Sequence, residues 1–145
     1  VSSAKRNEMR LISVVLGTAS SKARIDGSQA LLNYGYRFFS TETLFRANEE
    51  IINPKTWKAE NNSTSIGIAD DLTITLPKGA SKRLVYENNL PDIIEGPIIS
   101  KQKIGSVSIS LDDEIINTVP LVALEDNPSG GILKQIQDTI QLWFE

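Results

Sequence analysis

Lys5-Arg6-Asn7-Glu8-Met9-Arg10-Leu11-Ile12-Ser13-Val14-Val15-Leu16-Gly17 is the stretch whose reading decides the fold. Asn7-Glu8 is a two-residue connection of the kind that closes a β-hairpin, here between Val1 to Arg6 and Met9 to Leu16. Leu11 to Leu16 is almost continuously apolar, the pattern of a strand covered on both faces, and Gly17 ends it. From Ser28 the period lengthens. Ala30, Leu31, Tyr34 and Phe38 recur at helical spacing, with Leu32 and Phe39 widening the stripe. A strand covered on two faces needs a layer above and a layer below, and one helix supplies only one of them. Residues 1–40 therefore read as the closing piece of a larger domain. Apolar surface is expected to lie open around Leu11 to Leu16 and Tyr34 to Phe39, with dimerisation, strand exchange or aggregation through it.

The charge distribution changes at the end of that segment. Residues 1–40 carry six Lys/Arg against two Asp/Glu, and residues 41–145 carry nine against sixteen, for a net charge of −3. An acidic body with 6% aromatic residues argues against nucleic-acid binding. The 145 residues contain no cysteine and no histidine, which excludes disulfides, thiol nucleophiles, Cys/His zinc sites and His-based triads. No run reaches the roughly 18 apolar residues of a membrane span, and Val1 does not open a signal peptide.

From Thr41 onward the pattern is that of an all-β unit. Short apolar runs recur at Leu44-Phe45, Ile51-Ile52, Ser65 to Ile68, Leu72 to Leu76, Leu84 to Tyr86, Ile98-Ile99, Ile104 to Leu111 and Val119 to Leu124. Leu72-Thr73-Ile74-Thr75-Leu76 and Val107-Ser108-Ile109-Ser110-Leu111 alternate strictly, as half-buried strands do. Turn signals separate the runs, and together they predict a small antiparallel β-sandwich over residues 41–130. Pro128-Ser129-Gly130-Gly131 reads as a flexible break. Residues 131–145 then return to helical period, with Ile132, Leu133, Ile136, Ile140, Trp143 and Phe144 on or near one face and Lys134, Gln135, Gln137, Asp138 and Gln141 largely opposite. Such a helix either lies in a membrane interface, with Trp143 and Phe144 at headgroup depth, or packs on the sandwich or in a partner's groove.

In this order, these segments resemble the C-terminal part of the low-molecular-mass penicillin-binding proteins, the serine D-alanyl-D-alanine carboxypeptidases of bacteria. Lys5-Arg6-Asn7-x-Met9 to Gly17 resembles the last hairpin of their penicillin-binding domain, and Ser28 to Phe39 resembles its final helix. Thr73-Ile74-Thr75-Leu76-Pro77-Lys78-Gly79, Lys103-Ile104-Gly105 and Pro120-Leu121-Val122-Ala123-Leu124 fall where the family's β-rich second domain has similar runs. The sequence departs from the family where Glu8, Asp113 and Ala59 stand in place of glycines, which bears on turn geometry. The resemblance implies a parent enzyme on the periplasmic face of the inner membrane. That enzyme removes the terminal D-Ala of peptidoglycan pentapeptides through an acyl-enzyme on a Ser nucleophile with a Lys base. It also implies that the last helix attaches to the membrane, and that peptidoglycan or cell-wall proteins are the partners of the β-rich unit.

The resemblance places the three catalytic motifs, Ser-x-x-Lys, Ser-x-Asn and Lys-Thr-Gly, upstream of Val1. Two decoys remain in the text. Ser2-Ser3-Ala4-Lys5 spells the first, but a strand sends residues three apart to opposite faces, whereas the chemistry needs Ser Oγ beside Lys Nζ. Lys55-Thr56-Trp57 spells the third without its glycine. No catalytic, cofactor or metal residue is assigned. Asp70-Asp71 and Asp112-Asp113-Glu114 lack the alternating ligand spacing of a calcium loop and read as solvated turn charges. Asn61-Asn62-Ser63-Thr64 marks an exposed loop, and Trp57 is expected in a core. The alternative, from another class, is a self-contained β-sandwich that binds a protein or glycan and performs no chemistry.

Overall fold

A computed structural model describes residues 1–142. In chain order the elements are β1 (Ser2–Arg6), β2 (Met9–Ser13), α1 (Ser21–Phe38), β3 (Phe39–Phe45), β4 (Glu50–Ile52), β5 (Ile66–Gly67), β6 (Leu72–Pro77), β7 (Leu84–Asn89), β8 (Lys103–Leu111), β9 (Glu114–Ala123) and α2 (Ile132–Leu142), with a 3-10 turn at Ala80–Arg83. The fold is mainly β with antiparallel sheets, as expected. The chain divides into two compact units: Val1–Leu44 with Thr73–Lys82, and Phe45–Leu72 with Arg83 onward.

The first unit begins with the β1–β2 hairpin, whose last pair is Arg6↔Met9. Asn7 carries the left-handed turn conformation, with φ of 52°, while Glu8 is not left-handed. The residue that stands in place of glycine is thus unstrained, because the asparagine before it takes the conformation that Asn tolerates. β2 stops at Ser13 rather than running to Leu16. Helix α1 starts seven residues before the expected Ser28. Ser20 is its N-cap, accepting from the Ala23 N–H, and Lys22 pairs with Asp26 one turn on at 2.7 Å.

The face that α1 lays on the hairpin is not the most apolar one. Ser28 and Tyr36 are its buried residues, the Tyr36 hydroxyl donates to the Ala4 carbonyl, and Gly35 leaves room for Leu11. Arg6 covers the Tyr36 ring at 4.5 Å and donates to Asn33. Leu31, Tyr34 and Phe38 are exposed, as are Ile12, Val14 and Leu16 on the hairpin side. One face of the segment is packed and the other is open. β3 follows α1 with no loop and pairs with β6, where Thr41–Thr75 and Thr43–Thr73 hydroxyl contacts at 2.8 and 3.3 Å run antiparallel.

In the second unit a five-stranded sheet runs in the order β4-β5-β9-β8-β7. The alternation read from the sequence sorts its two faces: Val107 and Ile109 are fully buried on one, while Ser108 between them is also buried, accepting from Asn89 on the other. Ile66, Val107, Leu121 and Ala123 from the strands, with Ile68 just past β5, meet Ile94 and Ile98 from the long connection between β7 and β8. Each large aliphatic of this cluster contributes about 1.5–3 kcal/mol by leaving water. Ile98-Ile99 is not a strand. Ile98 makes a single bridge to Asn127 and plugs the core, while Ile99 is exposed.

β8 and β9 turn at Asp112-Asp113, with φ of 52° and 68°, the pair of left-handed residues that a type I′ hairpin requires. Arg83 holds Asp112 through two contacts of 3.0 and 2.8 Å. Among the described residues Asp113 makes no such contact, and it bears the Cβ cost of its conformation. Asp113→Gly is expected to stabilise the chain by about 1 kcal/mol, seen as a higher urea midpoint with an unchanged slope.

Candidate functional site

The site is built around an irregular segment, residues 53–65, that no ladder holds. Scattered backbone bonds hold it, among them Thr56 N–H to Asn62, Trp57 N–H to Ile94 and Thr64 N–H to Pro54, and one side chain satisfies the rest of the 61–63 turn. Asn127, 1% exposed, accepts from the Asn61 N–H through Oδ1 at 2.9 Å. Its Nδ2 donates to the carbonyls of Asn61 and Ser63 at 3.1 and 3.2 Å and to Thr64 Oγ1 at 2.8 Å. Thr64 Oγ1 in turn lies 2.8 Å from Thr56 Oγ1, and both threonines are buried. Asn127 also exchanges both backbone bonds with Ile98, each 2.9 Å. A buried amide so placed ties three stretches of chain together.

This arrangement sets Trp57, Lys58 and Ala59. Trp57 is buried, with the Lys55 ammonium 3.4 Å over its ring, so it is a core residue and not a stacking platform. Lys58 is left-handed, φ 58°, and its Nζ pairs with Glu95 at 2.9 Å. Ala59 is fully buried against Gly96 and Gly130, whose missing side chains would fall 2.6 Å and 2.8 Å from its atoms. The Pro128 to Gly131 segment, expected as a flexible break, is instead fixed. The Glu60 N–H donates to the Pro128 carbonyl at 2.7 Å, the Gly130 N–H to the Lys58 carbonyl at 2.8 Å, and Ser129 bridges Ala59. Gly130 here serves close approach, not freedom.

Helix α2 leaves this fixed point and lies on the segment through its polar side. Asp138, 9% exposed, accepts from the Lys58 N–H at 2.7 Å through Oδ2. Lys134 donates to the Glu60 carbonyl at 2.8 Å, and Gln135 to Ser129 Oγ and the Gly130 carbonyl at 2.9 and 2.8 Å. The sequence-predicted residues are on the other side. Ile132, Leu133, Ile136 and Ile140 are 78%, 85%, 54% and 55% exposed. At about 100° per residue they fall within about 100° of arc, with Asp138 diametrically across from its middle. Trp143 and Phe144 lie outside the described residues. A polar groove of about 730 Å³ runs along one flank, between α2 and the Lys55–Trp57 corner. No described helix is long and apolar enough to cross a membrane.

The decoy motifs have structural roles. Ser2 and Lys5 sit on β1, paired with Ser13 and Arg10. The Thr56 hydroxyl is committed to Thr64, with the Pro54 carbonyl at 3.5 Å. Asp71 accepts from the Ala47 N–H at 2.7 Å, and Asp112 is paired with Arg83. Among the described residues no group of three acids is placed to hold a metal ion. Asn127 and Lys58 carry no signal in the sequence, and Asp138 shows there only as a polar residue opposite the apolar stripe. The one available signal was that Asp138 is the lone acid of its helix, opposite the apolar stripe.

Comparison with known proteins meets this geometry. The family described as penicillin-binding protein 5, C-terminal domain, matches residues 39–129, and the chain belongs to it. It is 34% identical over 146 residues to the D-alanyl-D-alanine carboxypeptidase DacA of Escherichia coli K12, covering 99% of this chain and 36% of that protein. The solved penicillin-binding protein 5 of Haemophilus influenzae superposes with a TM-score of 0.78 at 32% identity, covering 88% of this chain and 38% of that one. A Streptococcus pneumoniae PBP3 structure, described as a peptidoglycan synthesis regulatory factor, shares the fold with a TM-score of 0.64 at 15% identity, over 86% and 38%. The chain spans little more than a third of these relatives.

Removing the Asn127 side chain takes the donor from the buried Thr64 Oγ1 and unpairs the Asn61 N–H and the Asn61 and Ser63 carbonyls. Asn127→Ala is expected to cost about 3 kcal/mol, the upper range for orphaning a buried polar group. Urea denaturation followed by Trp57 fluorescence measures it.

Proposed function

We propose that this chain is the non-catalytic C-terminal region of a serine D-alanyl-D-alanine carboxypeptidase that removes the terminal D-Ala from peptidoglycan pentapeptide. Residues 1–40 complete its penicillin-binding domain, residues 41–130 act as spacer and contact domain, and residues 131–145 attach to the periplasmic face of the inner membrane. Family membership and carboxypeptidase relatives matched along almost the whole chain support the parent's class. The exposed Leu31, Tyr34 and Phe38 of α1, and the exposed Ile12, Val14 and Leu16 on the hairpin side, support the first assignment.

One observation carries the attachment: α2 spends its polar side on the domain and leaves its apolar side to whatever lies outside. A helix built to complete the core would be turned the other way. With only Lys134 basic on its length, the helix would gain affinity mainly from apolar burial and little from anionic lipid.

Sedimentation with phosphatidylethanolamine/phosphatidylglycerol vesicles tests this. Wild type is expected to partition reversibly, and Ile136→Glu with Ile140→Glu to bind at least tenfold more weakly, because each partly inserted isoleucine is worth about 1.5 kcal/mol and about 1.4 kcal/mol is tenfold. Equal partitioning would remove α2 from the interface. Incubation with benzylpenicillin is expected to leave the chain's mass unchanged, and a stoichiometric adduct would mean that it carries an acylation site of its own.

A further inference from the structure

We propose that Asp138 is the positioning residue of α2, a latch that holds the helix on the domain so that a lipid surface is met by a docked helix and not by a tethered one. The proposal rests on the membrane reading of α2 and goes beyond it. It assigns the domain one fixed tilt on the bilayer.

A helix that only anchors needs no orientation relative to its domain, and a loose Gly-rich joint would serve. The observed joint is the opposite. Pro128, Ser129 and Gly130 are each bonded to the 58–60 stretch, and the Gly130 backbone approaches Ala59 too closely for any side chain. The joint fixes where α2 starts but not its rotation about its own axis. Rotation is set by side chains, and Asp138 is the buried one.

Its partner is a backbone N–H that the Trp57-Lys58-Ala59 corner presents outward through the left-handed Lys58. Carboxylate-to-amide bonds of this kind are short and strong for their class. Lys134 and Gln135 add bonds nearer the N-terminal end of α2, so without Asp138 that end stays seated while the rest is free to roll and fray. Lys58 is doubly engaged, since its ammonium pairs with Glu95, which keeps the amide aimed at the helix. Asn127 holds the same segment from behind. The apolar stripe therefore has a fixed bearing relative to the sheet.

Amide hydrogen exchange of the whole chain, read by NMR, tests the latch directly. The Lys58 N–H is expected to exchange at least tenfold faster in Asp138→Ala, with the Val107 and Leu121 amides unchanged as a check on folding. Asp138→Asn, which keeps one acceptor oxygen, should restore protection to within threefold of wild type. On supported bilayers of the same lipids, polarised infrared dichroism of the β-sheet band should show an ordered tilt for wild type and Asp138→Asn. It should collapse in Asp138→Ala, although the protein stays bound. Unaltered Lys58 exchange or undiminished dichroism in Asp138→Ala overturns the latch. Failure of wild type to bind vesicles overturns the membrane reading instead, and the exchange measurement still decides the latch.

Discussion

The side chain of Asn127 is the constraint on which the functional half of the molecule depends. One buried amide, with one acceptor and two donor hydrogens, serves Asn61, Ser63 and Thr64 while its backbone pairs with Ile98. Residues 53–65 have no ladder of their own, and Asn127 gives Asn61, Ser63 and Thr64 partners that the scattered backbone bonds of the segment do not supply. It holds the turn beside the helix joint, where the Thr56–Thr64 contact is buried and backbone bonds to Ile94, Gly130 and Pro128 seat Trp57, Lys58 and Glu60. The order of dependence runs from a core amide to a surface helix.

The two units solve the burial problem differently. The second closes on itself, with Ile94 and Ile98 sealing the sheet where no strand does. The first leaves half of its apolar surface outside, because α1 turns Ser28, Gly35 and Tyr36 to the hairpin and keeps Leu31, Tyr34 and Phe38 away from it. A helix with two apolar sides belongs between two layers.

Legibility followed how local the cause was. Alternation exposed β6 and β8, because period two is written residue by residue in Leu72 to Leu76 and Val107 to Leu111. The first two turns of α1 are not legible, since Ser21 to Gly27 is mostly polar and holds a glycine, and its start rests on one Ser20 cap. Ile98-Ile99 looked like a strand by composition but is a plug, which only the partner Asn127 reveals. The outward face of α2 was visible in its spacing. The seating of its polar face was not, because Asp138 on a helical wheel looks like any solvated acid until Lys58, eighty residues earlier, is brought against it. Non-local hydrogen bonds leave no periodic trace.

The division of the chain carries a lesson for anyone dissecting it. β6 belongs with β3 in the first unit, yet it is encoded inside the stretch that builds the second. No single cut can therefore separate the units as whole modules. Excision after Leu44 would orphan β6 from its partner, whereas excision before Phe39 carries both strands along, and the family boundary at residue 39 respects that pairing. Inheritance as a block, helix-to-strand junction included, is what an interleaved architecture of this kind imposes.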